Sequence, residues 1–258
     1  MCGIFCSLSR NGYISPDGNT KQLLQNRGPD STGQHQTVIE TSRVDAVEAT
    51  SRLHATFLST VLALRGSTVV KQPLLDETTG STLCWNGEAW SIRGERVVGN
   101  DSETIFRKLL EACATSTNAS DRAVIDLLSS VRGPYALVFF DARNKRIFYG
   151  RDCLGRRSLL KKSMPDDALV LSSVCDNASG DAWTEVEADG IYIVDLEHVD
   201  PAEPSLIPTH VPHRRSNEVE ASNLSFVGKS SGLRVLLMNL ASTLSCHERN
   251  SIATGQVR

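Results

Sequence analysis

The sequence opens Met-Cys-Gly-Ile-Phe-Cys, and a cysteine in second position has a chemical option denied to an internal one. With Met1 removed, Cys2 would carry a thiol and a free α-amine on the same residue. An α-amine ordinarily titrates at ~7.7–8.0 and a thiol at ~8.5, so the amine is about half neutral near working pH. It is also tethered to the thiol that it must deprotonate. Nucleophile and base then come from one residue, and no histidine is required. The six histidines, at 35, 54, 198, 210, 213 and 247, form no local Cys–His pattern. The plain alternative is that Cys2 is an ordinary strand residue.

Attack by a thiolate on an amide needs donors for the oxyanion that develops. The stretch WNGE at 85–88 offers two, the side-chain amide of Asn86 and the unshielded backbone N–H of Gly87. Asn-Gly is equally a strong turn signal. A substrate with an amino-acid head group needs a partner for each charge. Arg65, placed at the end of the apolar run 55–66, could meet a carboxylate with its fork. Asp101, at the start of a helix, could meet an ammonium. A surface arginine and a helix cap are the simpler readings of the two. RGPD at 27–30 is a rigid turn with one basic and one acidic group.

Composition narrows the field. The 258 residues include 40% hydrophobic and 22% charged, which is enough for a globular core. A formal charge of −3 implies no basic face, so no nucleic acid partner is expected. No basic leader precedes a long apolar run, and no run approaches the ~18 apolar residues of a membrane span. A cytoplasmic location without membrane attachment is therefore expected. The seven cysteines, scattered and odd in number, suggest no disulfide framework. No CxxC pair occurs, and metal is not expected. Neither GxGxxG nor GxxxxGK[ST] is present, so neither phosphate-cradling loop is available.

The elements that must position these residues alternate poorly between strand and helix. Strands are expected at 2–9, around TVIE, at 55–66, 81–88, in YALVFFDA and KRIFYGRD, and at 168–174 and 190–196. KQLLQN allows one helical turn. Helices are expected at 99–114, capped by Asn100 or Asp101, and at 121–131. The pattern indicates an α+β fold of sheets packed together with helices outside them, not a doubly wound parallel sheet. Residues 197–230, rich in proline, read as a linker or a loosely packed segment. Residues 231–258 read as a terminal helix with a frayed tail.

Taken in order, MCGIF at 1–5, NRGPDSTG at 26–33, LRGSTVVKQPL at 64–74, WNGEAW at 85–90, GNDSETI at 99–105, GPYALVFFD at 133–141 and RDCLGRRSL at 151–159 form a recognisable series. It resembles the class II glutamine amidotransferase domain at the front of glutamine-hydrolysing asparagine synthetases, over residues 2–196. The resemblance implies an N-terminal nucleophile hydrolase fold, with two stacked antiparallel sheets between helical layers. It implies Cys2 as nucleophile, Asn86 and Gly87 as the oxyanion hole, and Arg65 on the glutamine carboxylate. Asp101 and Glu88 would hold the ammonium. Arg27 to Asp30 would shape the adjoining loop, RDCLGRRSL would be a structural strand and turn, and Gly3 would leave room for substrate.

Glutamine hydrolysis in that family needs no cofactor. ATP and Mg enter only with a synthetase domain that accepts the ammonia. That domain should carry an SGGxDS-like loop, and SSGLRV at 230–235 lacks its acidic residue. The synthetase domain is therefore expected to be absent from this chain and to be supplied, if at all, as a separate subunit or segment. Two alternatives stay open. One is a binding or regulatory module of the same fold without turnover, and the other is an amidotransferase for another acceptor such as a sugar phosphate.

Overall fold

The computed structural model describes residues 1–41, 51–66, 68–114, 117–164, 168–175, 183–197 and 206–213. The chain opens with β1 (Gly3–Ser9), α1 (Gly18–Arg27), β2 (Ser31–Thr41) and β3 (Ser51–Val61). Then come β4 (Leu74–Leu75), β5 (Thr82–Gly87), β6 (Ser91–Ile92) and β7 (Glu95–Arg96). Helices α2 (Asp101–Ala112) and α3 (Thr117–Ser130) lead into β8 (Val131–Arg132), β9 (Tyr135–Asp141) and β10 (Arg146–Arg151). The remaining strands are β11 (Leu160–Ser163), β12 (Leu169–Ser172), β13 (Thr184–Glu185), β14 (Gly190–Asp195) and β15 (Thr209–Pro212).

These strands form two six-stranded antiparallel sheets. The first runs β13-β11-β12-β1-β3-β2 and the second β15-β14-β10-β9-β5-β4. A small sheet, β7-β6-β8, stands apart.

Side-chain alternation along the central strands explains the layering. Ile4, Cys6 and Leu8 of β1 point into a core shared with Ala136, Val138 and Phe140 of β9, which joins the two sheets. On the other face of β1, Phe5 packs with Leu24 of α1, Leu58 and Val170. On the other face of β9, Tyr135, Leu137 and Phe139 pack beneath Ile105 and Leu109 of α2 and Val124 and Leu128 of α3. All seven residues of β1 and of β9 are buried because both strands are covered on both sides. Helix, sheet, sheet, helices is the layered α+β arrangement expected of an N-terminal nucleophile hydrolase.

Three elements differ from expectation in ways that shape the site. The strand expected over 55–66 stops at Val61, where its last partner on β2 is Ser31. Beyond it the chain turns away, Asp30 Oδ2 accepts the N–H of Ala63 at 2.7 Å, and Gly66 takes a positive φ of 86°. Arg65 therefore lies on a loop. The turn expected at KQLLQN is a full helix, α1, because Asp17 accepts from the Thr20 backbone and hydroxyl at 2.8 and 2.7 Å. Only Thr20 and Leu24 of α1 are buried, so its apolar stripe was too thin to read. Within 197–230, Thr209–Pro212 forms an edge strand against β14, and the His213 ring lies 2.7 Å from the Arg151 carbonyl. The helix expected at 231–258 lies outside the described residues.

Candidate active site

Cys2 sits immediately ahead of β1, half-buried, with its Sγ 3.9 Å from the Leu62 carbonyl. Its backbone is held by Arg27 at the end of α1, whose Nε donates to the Cys2 carbonyl at 3.2 Å. The same guanidinium donates to Ser158 Oγ at 3.0 Å and the Ser173 carbonyl at 3.4 Å, tying α1 to the far side of the sheet. Gly28, which closes α1, permits that approach: a Cβ there would lie 2.4 Å from the Thr60 backbone. Burial pushes the Cys2 thiol up, opposed by its contact with the Leu62 carbonyl. The terminal amine belongs to Met1 and donates to the Arg27 carbonyl at 3.3 Å.

The facing wall is the end of β5. Trp85 anchors it, stacked on Tyr135 with ring centroids 5.3 Å apart and with its backbone N–H donated to Gln72 Oε1 at 2.7 Å. The next residue, Asn86, is 1% exposed, and its Nδ2 has no hydrogen-bond partner among the described residues. A buried donor left unmade costs roughly 1–3 kcal/mol, so such a group needs an explanation. Gly87 is confined, since a Cβ would fall 2.7 Å from the Trp85 ring and 2.8 Å from Tyr135 Cβ. Glu88 follows, its N–H bonded to the Pro134 carbonyl at 2.8 Å.

Asp101 opens α2, but Asn100 is the cap, accepting from the Ser102 and Glu103 N–H groups. That leaves Asp101 to turn inward, 6% exposed, where Oδ2 accepts from Trp85 Nε1 at 3.0 Å and from the Ala89 N–H at 2.8 Å. Arg65 reaches in from its loop. Its Nη2 pairs with Glu88 Oε1 at 3.3 Å and its Nη1 donates to the Ala89 carbonyl at 3.1 Å. Residues expected to meet the two opposite charges of one amino-acid head group are thus paired with each other.

Cys2, Arg65, Asn86, Gly87, Glu88 and Asp101 all line one cleft that opens to solvent. The lining residues that sequence reasoning missed include Leu62 at the thiol, Gln72, Trp85 and Arg157. Trp85 lay inside the WNGE motif and could have been suspected; Arg157 lay in a stretch read as purely structural. Much of that stretch is structural. Arg151 donates to the carbonyls of Arg157, Val186 and Gly155, and Asp152 accepts from Tyr135, Leu154 and Arg156. Gly3 does not make room for substrate. A Cβ there would meet Thr60 Oγ1 at 2.5 Å and Leu24 at 2.9 Å, so its role is the docking of α1. Among the described residues no group of three acidic, histidine or cysteine side chains could hold a metal ion.

A family model described as a glutamine amidotransferase domain matches residues 1–203. The chain belongs to that family. Among curated proteins, this amidotransferase domain is similar to asparagine synthetase domain-containing protein 1 of Bos taurus, 36% identical over 203 residues, which cover 76% of the chain and 29% of that protein. The Homo sapiens protein of the same name is 32% identical over 203 residues, with the same shares. The domain thus spans 29% of the length of these relatives. Among solved structures it resembles the glutamine phosphoribosylpyrophosphate amidotransferase of B. subtilis, with a TM-score of 0.48 and 18% identity over 75% of this chain and 47% of that one.

Proposed function

We propose that this domain hydrolyses glutamine to glutamate and ammonia through a thioester on Cys2, once Met1 has been removed, and that the ammonia serves asparagine formation. The observation that carries the proposal is the buried, unpartnered Nδ2 of Asn86 in the cleft that holds the Cys2 thiol. A donor kept waiting in that position has its use when an oxyanion forms beside it.

In this mechanism the Cys2 thiol gives its proton to the α-amine of the same residue. The thiolate attacks the side-chain amide carbon of glutamine, and the carbonyl π electrons move to oxygen. Asn86 Nδ2 and the Gly87 N–H hold that oxyanion. The tetrahedral species collapses as the α-ammonium returns its proton to the leaving nitrogen, so ammonia departs and a γ-glutamyl thioester remains. Water, deprotonated by the same amine, releases glutamate and regenerates the thiol. Arg65 holds the substrate carboxylate, and Asp101 with Glu88 holds its ammonium. Substrate entry therefore replaces part of the Arg65–Glu88 pairing with contacts to glutamine.

The hydrolysis itself needs no cofactor. ATP and Mg enter where a synthetase segment activates the ammonia acceptor, and the names and greater length of the curated relatives support such an acceptor. The test is glutaminase activity of protein verified by intact mass to begin at Cys2. Glutamate release is expected from that protein and not from Cys2→Ala. Full activity of Cys2→Ala, or of protein that retains Met1, would contradict the mechanism.

A further inference from the structure

Arg157 is the charged side chain of the cleft lining that the proposed mechanism leaves without work. It stands just past the turn after β10, and its guanidinium lines the cleft beside Cys2. Among the described residues its buried Nε has no hydrogen-bond partner, and its Nη1 meets only the Met1 thioether, 3.5 Å from Sδ. The neighbouring arginines are all occupied. Arg151 pairs with Glu185 at 2.9 Å, Arg156 pairs with Asp152 at 2.9 Å and lies over the Trp90 ring, and Arg27 holds Cys2, Ser158 and Ser173. Keeping a guanidinium partly out of water with no anion opposite is unfavourable, and a neutral side chain would avoid that cost. A functional demand for positive charge at this point accounts for it.

We infer that Arg157, released from Met1 when that residue is removed, is a positioning residue whose fixed positive charge keeps the mature Cys2 amine neutral and favours the Cys2 thiolate. The inference rests on Cys2 being the nucleophile and assigns a further residue to the same site. A cation beside an amine disfavours its protonated form, and beside a thiol favours its ionised form. Both effects push toward the pair that attack requires, a neutral amine and a nucleophilic sulfur. The charged groups facing this corner come from every wall. Arg27 comes from α1, Asp30 from the turn after it, Asp101 from α2, and the Arg65–Glu88 pair from the opposite side. In the unprocessed chain burial first, and then Arg27 and Arg157, hold the Met1 ammonium in this corner below its ordinary value, while Cys2 and Asp30 act the other way. For the thiol, burial pushes up first and Asp101 adds to it, while the Leu62 carbonyl contact, the terminal amine and Arg157 pull down. Arg27 is fixed by three oxygen acceptors and serves the backbone; among the described residues the Arg157 guanidinium meets only Met1, the residue to be removed.

The test uses the full chain expressed behind a leader whose cleavage leaves Cys2 first. Wild type, Arg157→Lys, Arg157→Gln and Arg157→Met are alkylated with iodoacetamide across a pH series, and modification of the Cys2 peptide is followed by mass spectrometry. Loss of the positive charge is expected to raise the midpoint of Cys2 alkylation by roughly half a unit to one unit in both the Gln and Met variants. The Lys variant is expected to stay near wild type. The acid limb of kcat/KM for glutamine should move up in the same order, because the amine then stays protonated to higher pH. Unchanged midpoints in the Gln and Met variants, or a Lys variant displaced as far as they are, would overturn the inference. The alkylation readout does not need turnover. A charge-dependent midpoint in a protein that never hydrolyses glutamine supports the Arg157 assignment while defeating the proposed activity.

Discussion

Asp101 accepts the indole N–H of Trp85 at 3.0 Å and, through the same oxygen, the Ala89 N–H at 2.8 Å. One buried carboxylate thus ties the start of α2 to the end of β5, and its Oδ1 makes no hydrogen bond to any described residue. The two functions of Asp101 separate by substitution. Asp101→Asn keeps an acceptor for Trp85 and Ala89 but removes the charge that would hold a substrate ammonium. It should raise KM for glutamine by about tenfold or more while melting near wild type. Asp101→Ala also strands a buried indole N–H and should lose a further 1–3 kcal/mol or so of stability. Steady-state kinetics paired with urea unfolding checks both.

Asn86 should show the reverse pattern. Its Nδ2 makes no bond in the free protein, so Asn86→Ala forfeits none of that hydrogen bonding on folding. Stability should change by no more than about 1 kcal/mol, while kcat falls by about 10²–10³ as the oxyanion loses a donor. An Asn86→Ala protein that unfolds easily but retains kcat would place the side chain in the framework instead.

Gly3→Ala tests the reassignment of the third residue. The added methyl meets Thr60 Oγ1 and Leu24 from α1, so the protein should lose about 1–3 kcal/mol in urea unfolding. A variant of normal stability with a raised KM would restore the substrate-clearance role.

Alkali should weaken the core through its buried thiols, and Cys84 is one whose share can be isolated. Burial pushes Cys84 from 9.0 up to about 12, and the unfolded chain has no such burial. The folded state therefore keeps this proton after the unfolded state has lost it. The contribution is fully present below pH ~9 and is lost as pH rises from ~9 toward ~12, at about 1.4 kcal/mol per pH unit. Cys84→Ala should lower stability overall and flatten that slope relative to wild type, measured by urea unfolding between pH 8 and 11. Parallel slopes would remove Cys84 from the alkaline response.

The sequence made the layers legible because β1 and β9 are continuous apolar runs buried on both faces. It made α2 legible because Ile105, Leu109, Leu110 and Ala112 form an apolar stripe at helical spacing behind an Asn100 cap. It hid α1, which touches the core mainly through Leu24 and depends on the Asp17 cap. It also extended β3 through Arg65, since apolar residues 62–64 continue the strand pattern while the partner strand begins only at Ser31. Individual site residues were visible as chemical types. Their pairing was not: that Arg65 meets Glu88, or that Arg157 meets Met1, depends on contacts 23 and 156 positions apart. THVP at 209–212 was submerged in a proline-rich stretch, and only its pairing with β14 distinguishes it.

The central claim is that Cys2, with its own amine, is the group that attacks glutamine. Diazo-oxo-norleucine, an electrophile shaped like glutamine, tests it most directly on protein that begins at Cys2. Peptide mass spectrometry should find one adduct, on Cys2, suppressed by excess glutamine and absent when Met1 is retained. Labelling at the half-buried Cys153 or Cys175, or an unlabelled Cys2 in protein that still releases glutamate, would contradict it.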